Sequence, residues 1–157
     1  MSISDLIVVM RAGVLQQVGA PQAVYDSPAN LFVATFLGNP PINVFRGRVE
    51  AGQLYLGGDR VLAVPGVADG PVTAGIRPEG FLLRADGPLC CTRERVEVLG
   101  RDVSLLGSHP AAEKGLRAML SAEDIGQLTG EQVRFALKPG KVFLFDPETG
   151  ARLYTEV

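Results

Sequence analysis

Glycine and proline interrupt this sequence so often that it can form only short elements of secondary structure. Its 157 residues include 19 Gly and 11 Pro, and the apolar runs between them are brief. Short runs at regular spacing, with turn residues between them, are typical of β-barrels. We interpret as strands the runs 44–49, 53–56, 60–64, 72–76, 82–84, 93–99, 103–106, 116–120, 132–137 and 142–145. The pattern predicts an all-β barrel from residue 42 onward.

Two apolar runs near the N terminus, 6–10 and 14–18, predict a β-hairpin. Gly13 precedes the second run and suits the left-handed position of a three-residue loop, because glycine takes positive φ without a Cβ clash. The first strand is apolar on both faces, as strands in the middle of a larger sheet are. The rest of the chain offers no obvious partner strands for it.

Two short helices are predicted after the hairpin. Pro21 suits a first helical turn, and Pro28 ends that helix. A second helix is predicted to begin near residues 27–30 and to stop at Gly38, because apolar residues from Leu31 onward recur at helical spacing. The joint 39–41, with two consecutive prolines, follows.

The segment 111–128 is ambiguous, because Leu116, Met119 and Leu120 also fit a helical spacing. Gly115 and Gly126 would each destabilise a helix by about 1 kcal/mol relative to alanine. We therefore predict a strand followed by a loop.

The charge balance argues against nucleic acid as a partner. The formal net charge is -2, whereas binding to a phosphate backbone needs a clustered positive field. The apolar runs are far shorter than the ~20 residues that span a bilayer, and no secretory start is visible, so we expect an intracellular chain. Cys90 and Cys91 are adjacent, without a second pair for a zinc site or a disulfide framework, and we interpret them as reduced thiols.

No residue pattern supports catalysis. The glycine-rich loop with a lysine that cradles nucleotide phosphates is absent. His109 has no orienting partner that the sequence identifies, and we interpret it as a surface loop residue. The acidic pairs Glu123 with Asp124 and Asp59 with Asp69 are more typical of solvated faces than of carboxylates held across a cleft. We expect no catalytic residue, no metal site and no bound cofactor.

Three segments have a distinctive pattern: 75–79 reads GIRPE, 97–100 reads EVLG, and 143–150 reads FLFDPETG. Arg77 and Glu79 flank Pro78 and form either a recognition patch for a regulator or an internal ion pair, and we favour the ion pair. Glu97 and Gly100 are expected to mark a bulged strand and a turn. The run 143–145 is expected as a strand covered by the barrel on one side and by a helix on the other.

The stretch 5–43, DLIVVMRAGVLQQVGAPQAVYDSPANLFVATFLGNPPIN, resembles the junction between ATPase and regulatory domains in ATP-binding subunits of carbohydrate ABC importers of the maltose and glycerol-3-phosphate type. GIRPE, EVLG and VFLFDPETGARL resemble that family's TOBE domain, in the same order. The sequence departs from the family where Gly80 and Phe81 replace a histidine that usually follows GIRPE.

The resemblance covers nearly the whole chain and implies three parts. Residues 1–20 would be the remnant hairpin of an ATPase domain, 21–38 a helical linker, and 39–157 an OB-like TOBE barrel. The family's Walker motifs, signature sequence and switch histidine belong to the ATPase domain. The resemblance therefore implies a chain without ATPase activity, with ATP and Mg expected only in the full-length parent.

The resemblance also implies a function in regulation and dimerisation of a subunit for sugar import. The expected partners are a second copy of the chain, membrane permease subunits reached through the ATPase domain, and a regulatory protein or small effector. The expected location is the cytoplasm, at the inner membrane. The alternative is a module of TOBE or Mop-like type that binds a small oxyanion or a sugar.

Overall fold

The computed structural model describes residues 6–38, 40–127 and 130–154. Strands make up most of these residues. They are β1 Ile7–Arg11, β2 Val14–Gly19, β3 Asn43–Glu50, β4 Gln53–Leu56, β5 Asp59–Ala63, β6 Gly70–Ile76, β7 Phe81–Leu83, β8 Leu89–Leu99, β9 Asp102–His109, β10 Ala112–Ser121, β11 Gln132–Leu137, β12 Val142–Phe145 and β13 Arg152–Leu153. The helices are α1 Pro21–Asp26 and α2 Leu31–Phe36, with 3-10 turns at Pro78–Gly80, Ala122–Gln127 and Pro139–Lys141. The predicted all-β class, with a hairpin and two short helices, is confirmed.

Two antiparallel sheets enclose the main core. Their strand orders are β10-β9-β8-β11-β7 and β13-β12-β6-β3-β4-β5. Side chains from both sheets meet between them, and Phe45, Leu54, Leu105 and Phe135 are completely buried there. The edge strand β10 of the first sheet lies against β3 of the second, which gives the pair of sheets a barrel-like form.

The strand β12 is covered on both sides, as predicted. Leu144 points into the main core. Its neighbours Phe143 and Phe145 point the other way and pack with Ala34 of α2 and with Ile42. Because side chains alternate between the two faces of a strand, a run with no polar position is needed here.

The hairpin β1–β2 forms a separate two-stranded sheet. Arg11 pairs with Val14, and both loop residues, Ala12 at φ 49° and Gly13 at φ 80°, are left-handed. The loop therefore has two residues instead of the predicted three, in agreement with the preference of tight hairpins for positive φ at both central positions. The buried Val9 attaches the hairpin to Val24 of α1.

The second helix begins at the end of the stretch 27–30 near which it is predicted to start. Asn30 is its N-cap, and the Asn30 side chain accepts a hydrogen bond from the Val33 amide at 2.9 Å. This capping bond places the first helical residue at Leu31. Within the ambiguous segment, Ala112–Ser121 forms β10 and Ala122–Gln127 a 3-10 turn, so the strand is confirmed. Residues 1–5, Asn39, 128–129 and 155–157 of the predictions lie outside the described residues.

Candidate functional site

The Arg77 side chain lies in the interior, between the sheets and the two helices. Only 1% of its surface is exposed. Arg77 follows the last residue of β6, and its own amide donates to the Lys141 carbonyl at 3.0 Å. Pro78 then begins a 3-10 turn, which closes when the Gly80 amide donates to the Arg77 carbonyl at 2.8 Å. Buried arginines are rare unless their charge is paired or fully hydrogen-bonded.

The guanidinium of Arg77 caps the C-terminal ends of both helices. Its Nη2 donates to the Tyr25 carbonyl of α1 at 2.9 Å, and its Nη1 donates to the carbonyls of Ala34 and Leu37 at 3.0 and 2.9 Å. The last carbonyls of a helix have no partner within it, and a cation is favourable there. Arg77 thus supplies the hydrogen-bond donors that the last carbonyls of both helices lack within the helix.

Tyr25 encloses this cation from one side. The guanidinium carbon of Arg77 lies 3.9 Å from the centroid of the Tyr25 ring, a cation–π distance. Burial lowers the pKa of Arg77, while Tyr25 and Glu79 oppose that effect. The Nε group is buried and makes no hydrogen bond with a described residue. Gly38, at φ 110°, passes so close that a Cβ there would lie 3.4 Å from Nη1.

Glu79 binds the tyrosine instead of the arginine. The Tyr25 hydroxyl donates to Glu79 Oε2 at 2.6 Å, and the Lys141 ammonium lies 3.4 Å from the same oxygen. Burial alone would raise the pKa of Glu79, but the hydrogen bonds and Lys141 outweigh it and lower that pKa. The predicted ion pair between Arg77 and Glu79 is therefore wrong. The Arg77 guanidinium turns inward to the helix carbonyls and leaves Glu79 at the half-exposed rim.

Polar side chains of β2 connect the hairpin to the helices. Gln17 donates to the Ser27 carbonyl at 3.1 Å and accepts from the Ala29 amide at 2.8 Å. Gln16 accepts from the Asn30 side chain at 2.8 Å. Hairpin, helices and barrel are therefore joined by consecutive hydrogen-bonded contacts, with Arg77 at the barrel end.

The opposite face of the hairpin is apolar and exposed. Cross-strand pairing puts Val8 beside Val18 and Met10 beside Leu15. Their exposed fractions are 58%, 49%, 52% and 57%, and the adjacent Leu6 is 72% exposed. Contiguous apolar surface of this kind marks an interaction site in proteins. We call this set of five residues the hairpin face.

Glu97 and Gly100 lie away from Arg77, in the hairpin formed by β8 and β9. Gly100, at φ 68°, occupies the two-residue loop between the paired residues Leu99 and Asp102, so the predicted turn is present. The bulge lies earlier in β8, between Arg93 and Arg95. Glu97 forms an ion pair with Arg95 at 2.8 Å on the surface. The structure does not bring the two predicted clusters together.

His109 is buried, which corrects its interpretation as a surface loop residue. It ends β9 with 7% of its surface exposed. Its Nδ1 accepts from the Ala111 amide at 3.0 Å, so Nε2 carries the proton and donates to Asp59 Oδ2 at 3.1 Å. The same Asp59 oxygen accepts from the Cys90 amide at 3.2 Å. These bonds fix the β4–β5 hairpin to the other sheet.

The two cysteines are free thiols on opposite sides of β8. Burial, and then Cys90 and Asp59, raise the pKa of Cys91 to about 12, so its thiol remains protonated at neutral pH. Among the described residues, no group of three His, Cys, Asp or Glu could hold a metal ion. Within the same residues, neither six-residue α-helix approaches the length and apolarity needed to cross a bilayer.

Comparison with known proteins identifies relatives of this chain among import ATP-binding proteins. Residues 43–81, which include the Arg77 turn, match the family model of the CysA C-terminal regulatory domain. The sn-glycerol-3-phosphate import ATP-binding protein UgpC of Jannaschia sp. (strain CCS1) is 37% identical over 155 residues, which are 98% of this chain and 43% of that protein. UgpC of Escherichia coli O6:K15:H31 is 35% identical over 161 residues, with 98% and 44% covered.

The chain thus spans less than half the length of these relatives. Among solved structures, the cytoplasmic molybdate-binding protein ModG with molybdate bound is similar at a TM-score of 0.48 and 21% identity. That alignment covers 67% of this chain and 96% of the ModG chain.

Replacement of Arg77 by methionine is expected to detach the helices from the barrel. Three carbonyls lose their donor, and a buried polar group left without its hydrogen-bond partner costs about 1–3 kcal/mol. We expect a lower free energy of unfolding and faster amide exchange in residues 21–38. Arg95→Gln, which breaks an exposed ion pair, is the matched control and should change stability by no more than about 1 kcal/mol.

Arg77→Lys provides a second variant if Arg77→Met does not fold. Lysine retains the charge but lacks the planar fork that reaches both helices, so exchange in 21–38 should still accelerate. Equal exchange in Arg77→Lys and Arg95→Gln would contradict the capping role.

Glu79 should make stability depend on pH in the acidic range. Because its pKa is lower in the folded state, its contribution is complete above the ordinary value of 4.5 and is lost as pH falls below that value. Between about pH 6 and 3, the wild-type chain should lose more unfolding free energy than Glu79→Gln. The exposed Glu131→Gln should behave like the wild type in denaturant titrations; identical pH profiles for all three chains would refute the assignment.

Proposed function

Because this chain belongs to the TOBE-type C-terminal regulatory regions of ABC-importer ATP-binding proteins, we propose that it regulates and dimerises such a subunit for import of a sugar or sugar phosphate. The observation that carries the proposal is similarity over 98% of the chain to two import ATP-binding proteins. The similarity continues through hairpin, helices and barrel alike. The three parts would therefore act as one unit.

The hairpin is the proposed link to the ATPase domain. Its face toward the helices is held by Gln16, Gln17 and Val9, whereas the hairpin face is apolar and uncovered. A two-stranded sheet is marginally stable by itself and is completed by further strands or packing partners. We propose that residues 1–20 complete a sheet of the ATPase domain in the longer protein, that 21–38 are the linker, and that 39–157 are the regulatory domain.

The hydrogen bonds of Arg77 would couple the position of the hairpin to that of the barrel. The carbonyls that Arg77 binds belong to the same helices that the hairpin contacts. A displacement of the hairpin would therefore move the barrel, and the converse also holds, because both are attached to one small hydrogen-bonded unit. Regulation by a protein or small effector bound to the barrel would reach the ATPase domain by this route.

The remaining parts of the proposal concern partners and location. The membrane permease subunits would be contacted through the ATPase domain, at the cytoplasmic side of the inner membrane. The chain itself would need no cofactor.

In isolation, the chain is expected to form a homodimer through the hairpin face, because a second copy offers the same apolar surface. Light scattering at about 50 μM, where interfaces of moderate affinity are occupied, should give the dimer mass. Met10→Lys combined with Val18→Lys should give the monomer. Val98→Lys removes an apolar side chain that is 61% exposed elsewhere and is the matched control; a monomeric wild-type chain would refute the dimer.

ATP is not expected to bind to this chain. No glycine-rich loop followed by lysine and serine or threonine occurs in its sequence, so the backbone N–H cradle for phosphates is missing. Calorimetric titration with ATP and Mg²⁺ should give no saturable heat. Saturable binding would contradict the proposed division of functions between the two domains.

A further inference from the structure

The two sheets meet along an incomplete seam between β3 and β10. The strand β4 pairs only with Gly47–Glu50 of β3. The first half of β3 therefore has β6 on one side and β10 on the other. However, β3 and β10 are not neighbours in either sheet, so no regular ladder closes this seam.

Hydrogen bonds join β3 to the chain at and before β10 at two points along the seam. At one end the Arg46 amide donates to the Ala111 carbonyl at 2.7 Å. At the other end the Asn43 side chain bonds both backbone groups of Arg117, accepting from its amide at 2.7 Å and donating to its carbonyl at 2.9 Å. Asn43 is itself 7% exposed. These bonds fix the distance between the two sheets at both ends of the seam.

Between these points β10 bulges away from β9. Ala112 pairs with His109 and Leu116 pairs with Gly107, so three residues of β10 stand opposite one residue of β9. Gly115, at φ 75°, makes the bulge possible, and a Cβ there would lie 2.9 Å from the Gly107 carbonyl oxygen. Bulges are common beside binding sites because they redirect side chains and leave the strand ladder open.

The bulge and the start of β3 enclose a groove of about 400 Å³. Its floor and walls are apolar, and they include Pro41, Ile42, Val44, Leu106 and Leu116. This volume and this apolar lining are those of small-molecule sites in proteins. The 39% exposed Val44 shows that part of the lining is open to a ligand.

The rim of the groove is positively charged. Arg46, Lys114 and Arg117 line it, against the single carboxylate of Glu113. Glu113 binds Arg46 at 3.2 Å, but both side chains are about 70% exposed, and such pairs are weak. The Lys114 ammonium makes no hydrogen bond or ion pair with any described residue. This local excess of cations stands out on a chain whose net charge is -2.

We propose that the seam groove binds a small organic acid, with its apolar body against Val44 and Leu106 and its anionic group at Lys114 and Arg46. An inorganic oxyanion would leave the apolar walls without a partner. A neutral apolar molecule would leave the cations unused. The proposal does not depend on the importer function, because it rests on the groove alone.

The test uses the whole chain and sodium 4-phenylbutyrate as the probe, followed by amide chemical shifts in NMR. We expect saturable shifts at residues 42–46 and 111–117. The neutral analogue 4-phenyl-1-butanol has the same apolar body and should bind about two- to fivefold more weakly, because it lacks an exposed charge interaction. Inorganic phosphate should give no saturable shift at these residues.

Substitutions at the rim should change affinity in opposite directions. Lys114→Gln should weaken 4-phenylbutyrate binding about two- to fivefold, to the level of the alcohol. Glu113→Gln should strengthen binding, because it releases Arg46 and removes the only acidic side chain of the rim. Lys138→Gln removes an exposed lysine outside the groove and is the matched control.

Four results would overturn the proposal. Two concern the wild-type chain: equal affinity for the acid and the alcohol, and shifts confined to the hairpin face. The third is unchanged affinity in Lys114→Gln, and the fourth is no saturation below about 10 mM probe, a range that already covers very weak binding. Val44→Trp, which fills the groove, should abolish the shifts at 111–117. A monomeric chain that still binds the probe would refute the dimer and leave this proposal intact.

Discussion

The buried cation of Arg77 lies where two helices of six residues each end against the barrel. Helices this short do not persist by themselves, because the cost of forming the first turn is not recovered over so few hydrogen bonds. Here their last carbonyls are bound by a fixed guanidinium, and their side chains pack with Phe143, Phe145 and Val9. The position of the hairpin depends on the helices, and the helices depend on this cation.

Both faces of the first hairpin strand are apolar, but one is buried and the other is exposed. One face must pack on the helices, where Val9 is 1% exposed, and the other presents Val8 and Met10 outward. Strands with both faces apolar belong inside larger assemblies of sheet or helix. The apolar sequence of this strand therefore favours a neighbour on the exposed face. The proposed neighbour is either the ATPase domain or a second copy of the chain.

Local signals in the sequence were sufficient for the elements but not for the contacts between them. Glycine and proline spacing predicted the strands, and Gly100 predicted its turn, because these effects depend on neighbouring residues. The partner of Arg77 was assigned to Glu79, two residues away, whereas its true acceptors lie 40 to 52 residues away in sequence. His109 was misplaced likewise, since Asp59 is 50 residues distant. The contact of Tyr25 with Arg77 has no local signal either, because the two residues are 52 positions apart.

The buried polar groups are held in hydrogen bonds within the fold, whereas the exposed Lys114 ammonium is not. The buried Asn43, His109 and Ser104 are bonded to backbone or side-chain partners that hold strands together. A buried polar group that lost such a partner would be left unsatisfied, so these bonds tie the three groups to structural positions. Lys114 retains its donors and stands beside an apolar groove that no strand closes. Among the described residues, the hairpin face thus offers a surface suited to an apolar protein surface, and the seam groove offers one suited to a small organic acid.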